Sequence, residues 1–326
     1  MQRSFDIVVI GGGVVGLAIL RRLCMSGLSA VLLERGADIL SGASKANSAL
    51  LHTGFDAPTG STELACMQAG YAEYLDIRER LNLPLVMSSA LVVAWGDEER
   101  AKLDGIVAKA HANGVSDVRH VTRDELCKRE PQLSPAATAA VLVPGEHIID
   151  AWSAPLAYAQ QALAHGAVIL RNAEVTGGDF SNGAWTLHSK AGPVSARVVI
   201  NAAGNFGDLV EAIARPSPFT ITPRRGQFVV FDKQASELID AIILPVPTER
   251  TKGVVLFRTA YGNLAIGPTA EDVTEREVAA TDTATLERLK ARALEMVPSL
   301  AGIGVNAIYA GLRPATEHKD YVIEAL

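Results

Sequence analysis

The run Asp6-Ile7-Val8-Val9-Ile10-Gly11-Gly12-Gly13-Val14-Val15-Gly16 decides the fold of this chain. Its β-branched start, ended by glycine, predicts a short strand that is buried on both faces. Apolar residues at helical spacing over residues 14–26, followed by Gly27, predict a helix with a C-terminal glycine. The apolar residues 30–33 predict a second buried strand. Together these segments form a βαβ unit, whose crossover should be right-handed.

The glycines of this run have the G-x-G-x-x-G spacing of dinucleotide-binding units. Gly11 permits a tight turn, Gly13 lets the backbone approach a pyrophosphate, and Gly16 allows close packing of helix and strand. The helix N-terminus adds N–H groups and a partial positive charge. Glu34 ends the second strand, where its carboxylate can accept hydrogen bonds from both hydroxyls of a ribose. These residues predict a dinucleotide site but do not separate NAD from FAD.

Composition and charge exclude several classes of protein. The 326 residues suit about two domains of roughly 150 residues, and 48% hydrophobic with 20% charged residues is typical of folded chains. The 30 Lys and Arg against 36 Asp and Glu give a net charge of −6, so the chain lacks the basic excess that nucleic acid attracts. The three cysteines, Cys24, Cys66 and Cys127, have no metal or redox spacing. We predict buried thiols, no metal site and no nucleic-acid partner.

The longest apolar stretch, residues 7–20, contains three consecutive glycines. It is shorter than the roughly 20 residues that a membrane span needs. Asp6 at its entrance and Arg21-Arg22 at its end argue against a secretory signal peptide. We therefore predict a cytoplasmic protein whose contact with a membrane is at most peripheral.

Two kinds of pattern alternate along the chain. A helix and apolar strands within residues 148–215 resemble the opening βαβ unit, whereas alternating apolar positions within residues 216–309 suit an antiparallel sheet. We predict an α/β architecture with a discontinuous Rossmann-like domain and a second, α+β domain on a mainly antiparallel sheet. The first domain takes residues 1–84, 148–215 and 310–326, and the second takes residues 85–147 and 216–309.

Two further runs indicate a family. Small hydroxyl and amide side chains follow the second strand, where they can bond a long cofactor, and the run Asn47-Ser48-Ala49-Leu50-Leu51-His52-Thr53-Gly54-Phe55-Asp56-Ala57-Pro58 belongs to this loop. Together with residues 262–272 (Gly-Asn-Leu-Ala-Ile-Gly-Pro-Thr-Ala-Glu-Asp), it resembles the D-amino-acid-oxidase-like FAD oxidoreductases. Within that superfamily, both runs look most like anaerobic-type glycerol-3-phosphate dehydrogenases and L-2-hydroxyglutarate dehydrogenases and oxidases. The resemblance covers essentially the whole chain.

The resemblance implies that FAD is the cofactor of the Rossmann-like domain. Ser44, Asn47 and Ser48 would line the flavin, the backbone of Val175 would contact the adenine, and the strand end at Ala203-Gly204 would let the backbone approach the cofactor. A covalent bond from His52 to the flavin, present in some relatives, stays open. The positions where it implies a cofactor contact are Gly11, Gly13, Gly16, Glu34, Arg35, Ser44, Asn47, Ser48, Leu50, Val175, Ala203, Gly204, Gly311 and Arg313.

The resemblance also places the candidate catalytic residues. Arg313 lies in a segment like the one whose arginine binds the anionic end of a substrate, and its parallel donors match a carboxylate or phosphate. Arg258 is a second anion candidate, with Tyr261 as its hydrogen-bonding companion. His52, close to the flavin ring, is the best candidate for the base that takes the hydroxyl proton.

The implied function is that of an FAD-dependent dehydrogenase. Its substrate would be a small anionic secondary alcohol, either sn-glycerol 3-phosphate or a 2-hydroxy acid such as L-2-hydroxyglutarate, oxidised by hydride transfer to flavin N5. The electrons would pass to a quinone, a carrier protein or oxygen. Two alternatives stay open: an amine oxidase of the glycine or sarcosine oxidase type, and a flavin-binding subunit without turnover.

Relatives run on after a segment like Asp320-Tyr321-Val322-Ile323 into another strand and a glycine-rich turn that contacts the flavin, whereas the sequence stops at Leu326. We expect either a truncated sequence or the loss of that contact.

Overall fold

Eighteen strands and eight α-helices occur in the computed structural model, which describes residues 3–247 and 253–325. The strands are β1 (Arg3–Ile10), β2 (Ala30–Leu33), β3 (Leu50–Leu51), β4 (Leu85–Val86), β5 (Ala90–Ala94), β6 (Arg119–Val121), β7 (Ala139–Val143), β8 (His147–Ile149), β9 (Val168–Leu170), β10 (Val175–Ser181), β11 (Ala184–Ser189), β12 (Val194–Asn201), β13 (Arg224–Phe231), β14 (Ile242–Pro245), β15 (Val255–Arg258), β16 (Leu264–Gly267), β17 (Glu271–Asp272) and β18 (Val305–Arg313). The helices are α1 (Val14–Met25), α2 (Thr62–Ile77), α3 (Asp97–Arg100), α4 (Leu103–Ala112), α5 (Arg123–Arg129), α6 (Ser153–Ala164), α7 (Gly207–Glu211) and α8 (Thr283–Met296).

The first sheet has the strand order β10-β11-β12-β1-β2-β9. Strands β12, β1, β2 and β9 are parallel, and β10 and β11 form an antiparallel extension. Val8 and Val9 of β1 are 0% exposed, because β1 is central and its two side-chain faces are both covered. On one face, Leu17 and Leu20 of α1 and Ala159 of α6 pack with Val9 in one core. The predicted Rossmann-like domain, with its later strands added to the opening unit, is confirmed.

The second sheet is mainly antiparallel, as predicted. Its order is β17-β13-β16-β15-β14-β5-β7-β6, and β18 pairs with β13. The pairing of β14 with β5 is parallel. Helix α8 covers one face, where Leu289, Ala293 and Met296 enter the same core as Leu256 and Ile266.

A small third sheet, in the order β3-β8-β4, places the His52 segment. Its register sets Leu51 opposite His147 and Leu50 opposite Ile148. Because β8 follows β7 after only three residues, this pairing brings His52 next to the β7–β8 turn.

One expectation, that the three thiols are buried, is wrong in detail. Cys24 is buried, but Cys66 on α2 and Cys127 on α5 are exposed, because each points away from the face that its helix packs on the core. The predicted domain boundaries stay a prediction. Strand β18 runs without a break through residue 310, where one of these boundaries was placed.

None of the helices among residues 3–247 and 253–325 combines the length and the apolar character that crossing a lipid bilayer requires.

Candidate active site

The glycine turn between β1 and α1 packs closely against two neighbouring backbone segments. Gly11 has a φ of 113°, and a β-carbon added there would lie 2.3 Å from the Ala202 carbonyl oxygen. A β-carbon at Gly16 would lie 1.9 Å from the carbonyl oxygen of Gly11. Gly13 is the N-cap of α1 and offers no capping side chain. The turn itself therefore places no side chain over the positive end of α1, as close approach of a pyrophosphate requires.

Glu34 is buried at the end of β2 and faces this turn. Its Oε2 accepts a hydrogen bond from the Gly12 amide (2.7 Å) and its Oε1 from the Gly36 amide (2.6 Å). Both oxygens are therefore held at the mouth of the dinucleotide fold, where a ribose hydroxyl can reach them. Arg35 turns away from this carboxylate, since its guanidinium lies 3.7 Å from the ring centroid of Phe206.

The loop that follows is fixed to the start of α1. Ser44 Oγ accepts a hydrogen bond from the Val14 amide at 2.9 Å and thus caps the helix. Asn47 donates to the Ser44 carbonyl at 3.0 Å and accepts from the Ala49 amide at 2.8 Å. The side chains predicted to line the flavin therefore also organise the loop.

Strand β18, which belongs to the second sheet, packs against the same loop. The Tyr309 hydroxyl donates to the Asn47 carbonyl at 3.0 Å, and the Tyr309 ring stacks on Phe228 at 4.4 Å between centroids. A β-carbon at Gly311 would lie 2.2 Å from the carbonyl oxygen of Ala46. A side chain at position 311 would therefore push the loop away from the strand.

A large open cavity adjoins this region. Its volume is about 2550 Å³, and Ser48, Leu50, His52 and Arg313 all line it. Ordinary small-molecule sites take roughly 300–1,000 Å³, so the cavity has room for a long cofactor and a substrate together.

The strand end after β12 carries an unsatisfied acceptor. Asn205 follows Ala203-Gly204 and donates through Nδ2 to the Leu312 carbonyl at 2.9 Å. Its Oδ1 is buried and has no hydrogen-bond partner among the described residues, although buried polar atoms are nearly always paired. The Oδ1 atom of Asn205, the N-terminus of α1 and the Glu34 carboxylate together make the site fit FAD.

Val175, the predicted adenine contact, begins β10 at an irregularity of the β10–β11 pairing.

His52 is held by a buried carboxylate. His52 Nδ1 lies 2.7 Å from Glu146 Oε2, and Glu146 is 0% exposed. Glu146 Oε1 accepts from the Thr53 amide at 2.7 Å and from the Thr53 hydroxyl at 2.8 Å. The imidazole of His52 thus has a set orientation at the edge of the cavity.

Arg313 presents a guanidinium to the same cavity. Its Nη2 donates to the Thr269 carbonyl at 2.9 Å, and across the β13–β18 pair it lies directly opposite Arg224. Surrounding protein and the charge of Arg224 lower the pKa of Arg313, although the residue as a whole is exposed. Arg224 is itself paired with Asp272. An anion at Arg313 would relieve the repulsion between the two like charges.

The other two catalytic candidates lie elsewhere. Arg258 pairs with Asp240 (Nη1 to Oδ1, 3.2 Å) and lines a different cavity of about 290 Å³. Burial, and next its hydrogen bond to Asp150, raise the pKa of Tyr261 to about 12. Among the described residues, neither Arg258 nor Tyr261 lines the cavity that contains His52 and Arg313.

Sequence reasoning did not find Glu146, Thr53, Tyr309 or Asn205. For Glu146 a signal existed: it is a charged residue in a Pro-Gly turn between two apolar runs, Ala139–Val143 and His147–Ile149. Asn205 directly follows the predicted strand end. The other two give no local signal.

Comparisons with known proteins identify the family of this chain. The sequence model of a family described as FAD dependent oxidoreductase matches residues 6–326. The chain is 29% identical over 320 residues to a glycerol 3-phosphate dehydrogenase from Caloramator mitchellensis, covering 98% of this chain and 67% of that protein. It is 28% identical over 280 residues to an L-2-hydroxyglutarate dehydrogenase from Indibacter alkaliphilus, covering 84% and 70%. A solved L-alpha-glycerophosphate oxidase from Mycoplasma pneumoniae with FAD bound matches with a TM-score of 0.91 at 27% identity, covering 99% and 86%.

Proposed function

Because the chain belongs to the family of FAD-dependent oxidoreductases, we propose that it oxidises the alcohol carbon of a small anionic substrate. The first choice is sn-glycerol 3-phosphate, since the similarity to a glycerol 3-phosphate dehydrogenase extends over 98% of this chain. L-2-hydroxyglutarate, the substrate named for another relative, is the second. The observation that carries the proposal is that a histidine and an arginine, His52 and Arg313, line one cavity.

The same residues would hold the cofactor. The N-terminus of α1 would bind the pyrophosphate, and Glu34 would accept hydrogen bonds from the ribose hydroxyls. The loop at Ser44 and Asn47, together with Asn205, would border the remaining part of the FAD molecule. When bound, FAD supplies the two-electron acceptor that amino acid side chains lack.

Two side chains would act on the substrate. Arg313 would bind the phosphate or carboxylate through parallel N–H donors and so fix the alcohol carbon in place. His52 would take the hydroxyl proton as the alcohol is oxidised. A quinone, a carrier protein or oxygen would then receive the electrons. The predicted cytoplasmic location also stays a prediction.

Anaerobic reduction tests the substrate class. Purified FAD-loaded protein is mixed without oxygen with sn-glycerol 3-phosphate, L-2-hydroxyglutarate, glycine or sarcosine, and the visible flavin absorbance is followed. We expect bleaching by glycerol 3-phosphate and slower or no bleaching by the amines. Bleaching by glycine or sarcosine alone would indicate an amine oxidase, and no bleaching by any substrate would indicate a subunit without turnover.

Variants assign the residues in the same assay. His52→Ala should slow flavin reduction at saturating substrate, and Arg313→Ala should mainly raise the substrate concentration required. Adding a quinone or oxygen to the reduced protein then identifies the acceptor from the rate of reoxidation. Full activity in both variants would refute the assignment of these residues.

A further inference from the structure

The carboxylate of Glu146 is buried, although turn residues of this type are usually exposed to solvent. It is fully buried in the turn between β7 and β8, yet it keeps three hydrogen bonds, all to the two consecutive residues His52 and Thr53. Burying an ionised carboxylate is costly unless donors compensate it. The donors here come from the segment that carries the candidate base.

We propose that Glu146 is the positioning residue for His52, an inference that rests on the proposed role of His52 as the base. An ionised carboxylate can only accept hydrogen bonds. His52 Nδ1, 2.7 Å from Glu146 Oε2, therefore carries a hydrogen. In the neutral imidazole the lone pair that can accept a proton is then on the other nitrogen, Nε2. Glu146 thus selects the tautomer that can take a proton at Nε2.

The proton transfer balances on these groups. The O–H bond of the substrate breaks, its electron pair stays on the substrate oxygen, and an Nε2–H bond forms on His52. The Nδ1–H bond stays in place, so His52 becomes an imidazolium that faces the negative charge of Glu146. Glu146 is buried while 35% of the His52 side chain is exposed, so its negative charge stabilises the imidazolium from the protein side.

The backbone around Glu146 is locked on both sides. The Tyr71 hydroxyl donates to the Gly145 carbonyl at 2.9 Å, and a β-carbon at Gly145 would lie 2.8 Å from Thr53 Cγ2. The β3–β8 register, with Leu51 opposite His147, holds the two segments together. Glu146 therefore has little freedom to move away from His52.

The variant Glu146→Gln tests the assignment in the FAD-loaded protein. The amide oxygen of glutamine can still accept from Thr53, but its NH₂ group now faces His52 Nδ1 and favours the tautomer with the hydrogen on Nε2. We expect the limiting rate of flavin reduction to fall by at least about 100-fold, as wrong-tautomer changes do in other histidine–carboxylate pairs. The KM for glycerol 3-phosphate should change by less than about threefold, because uniform binding is untouched.

A matched variant controls for the loss of a buried carboxylate. Glu130 is 3% exposed and accepts a hydrogen bond from the Ala241 amide at 2.7 Å, away from His52. Glu130→Gln should leave the reduction rate within about twofold, in line with substitutions that touch no reacting group. Equal losses in both variants would mean that Glu146 acts only on the fold.

A spectroscopic measurement separates this inference from the proposed function. Nitrogen-15 NMR of protein labelled in histidine should show the Nδ1–H tautomer of His52, and a shift toward Nε2–H in Glu146→Gln. An Nε2–H tautomer in the unchanged protein would overturn the inference even if the variant did not fold. Loss of activity in His52→Ala with full activity in Glu146→Gln would also overturn it, whereas full activity in His52→Ala would refute the proposed role of His52 itself.

A double variant completes the cycle. If Glu146 acts through His52, His52→Ala with Glu146→Gln should reduce flavin no more slowly than His52→Ala alone. Additive losses would show that Glu146 contributes independently of His52 and would contradict the positioning role.

Discussion

At the scale of single residues, surroundings rather than residue type separate the two candidate arginines. Arg313 lines the large cavity opposite Arg224, and its own hydrogen bond goes to a neutral carbonyl. Arg258 is already paired with the carboxylate of Asp240 and lines another cavity. Within residues 3–247 and 253–325 no carboxylate pairs with Arg313, which makes it the better candidate for an anion receptor, and substrate binding at Arg313 stays a proposal.

Lysine substitutions should distinguish these two positions. Arg313→Lys keeps the charge but loses the planar pair of donors, so we expect the KM for glycerol 3-phosphate to rise by about 10–100-fold, the worth of one or two charge-assisted hydrogen bonds. Arg258→Lys should change this KM by less than about twofold, because the Coulomb attraction to Asp240 remains. Steady-state kinetics with both variants checks this, and a larger effect at position 258 would reverse the assignment.

At the scale of elements, β18 and α8 connect the second sheet to the site. Strand β18 contacts the Ser44–Ser48 loop through Tyr309 and Gly311. The N-terminus of α8 is capped by Asp282, which also accepts a hydrogen bond from Gln227 on β13 at 2.7 Å. Strand β18 thus contacts the cofactor loop directly, and α8 is fixed to β13, the strand that pairs with β18.

Gly311→Ala should disturb the cofactor loop. The new methyl group would meet the Ala46 carbonyl, so we expect a loss of about 1–3 kcal/mol in unfolding free energy, as for other overpacked sites, and weaker retention of FAD. Gly304→Ala, at the residue directly before β18, is the matched control, since nothing lies within 4 Å of its added β-carbon. Urea unfolding and flavin content measure both effects, and equal behaviour of the two variants would contradict the close contact.

Asp282 should give α8 a pH-dependent stability. The hydrogen bond from Gln227, followed by that from the Thr285 amide, lowers its pKa from 3.8 to about 2. Since the folded pKa is depressed, the contribution is complete above pH 3.8 and is lost as the pH falls toward 2. Asp282→Asn keeps a capping oxygen and should show no such loss in that window, whereas Asp282→Ala should be the least stable at neutral pH. Urea midpoints across this pH range test the order, and an unchanged slope in Asp282→Asn would contradict it.

At the scale of the whole molecule, a half-buried ion pair joins segments that follow the two sheets. Arg276, between β17 and α8, binds Asp208 of α7 and also donates to the carbonyls of Asn205 (2.8 Å) and Ile221 (2.9 Å). The hydrogen bonds from Arg276 lower the pKa of Asp208. Because α7 follows the Rossmann-like sheet directly, this cluster sets how the two parts of the molecule meet beside Asn205.

Removing Arg276 should loosen that junction. Arg276→Met removes the only charged donor that the described residues offer to the buried Asp208 carboxylate, which keeps the Leu209 and Ile221 amides, and it takes one donor from each of two carbonyls. We therefore expect the unfolding free energy to fall by about 2–4 kcal/mol. Lys290→Met, which breaks an exposed pair with Glu287 on α8, should cost less than about 0.5 kcal/mol. Equilibrium unfolding in urea compares the two, and similar losses would show that the Arg276 cluster is no stronger than a surface pair.

The sequence alone predicted those features whose pattern lies within one helix or strand. The sequence of β2 predicted the strand at residues 30–33, and the pattern of residues 283–296 predicted α8. The glycine spacing and the two family runs led to the FAD-dependent family, which the family match confirms.

The sequence by itself thus determined the fold class, because strand and helix periodicity and the glycine turn act over a few neighbouring residues. The cofactor and the family came from the resemblance of two longer runs to known FAD oxidoreductases. Only the tertiary structure decided which polar side chains meet. His52 and Glu146 are 94 positions apart and touch only through the pairing of β3 with β8. Arg258 and Arg313 look alike in the sequence, and their different neighbours depend on sheet register. Register follows from the burial of whole strand faces, which no short segment contains.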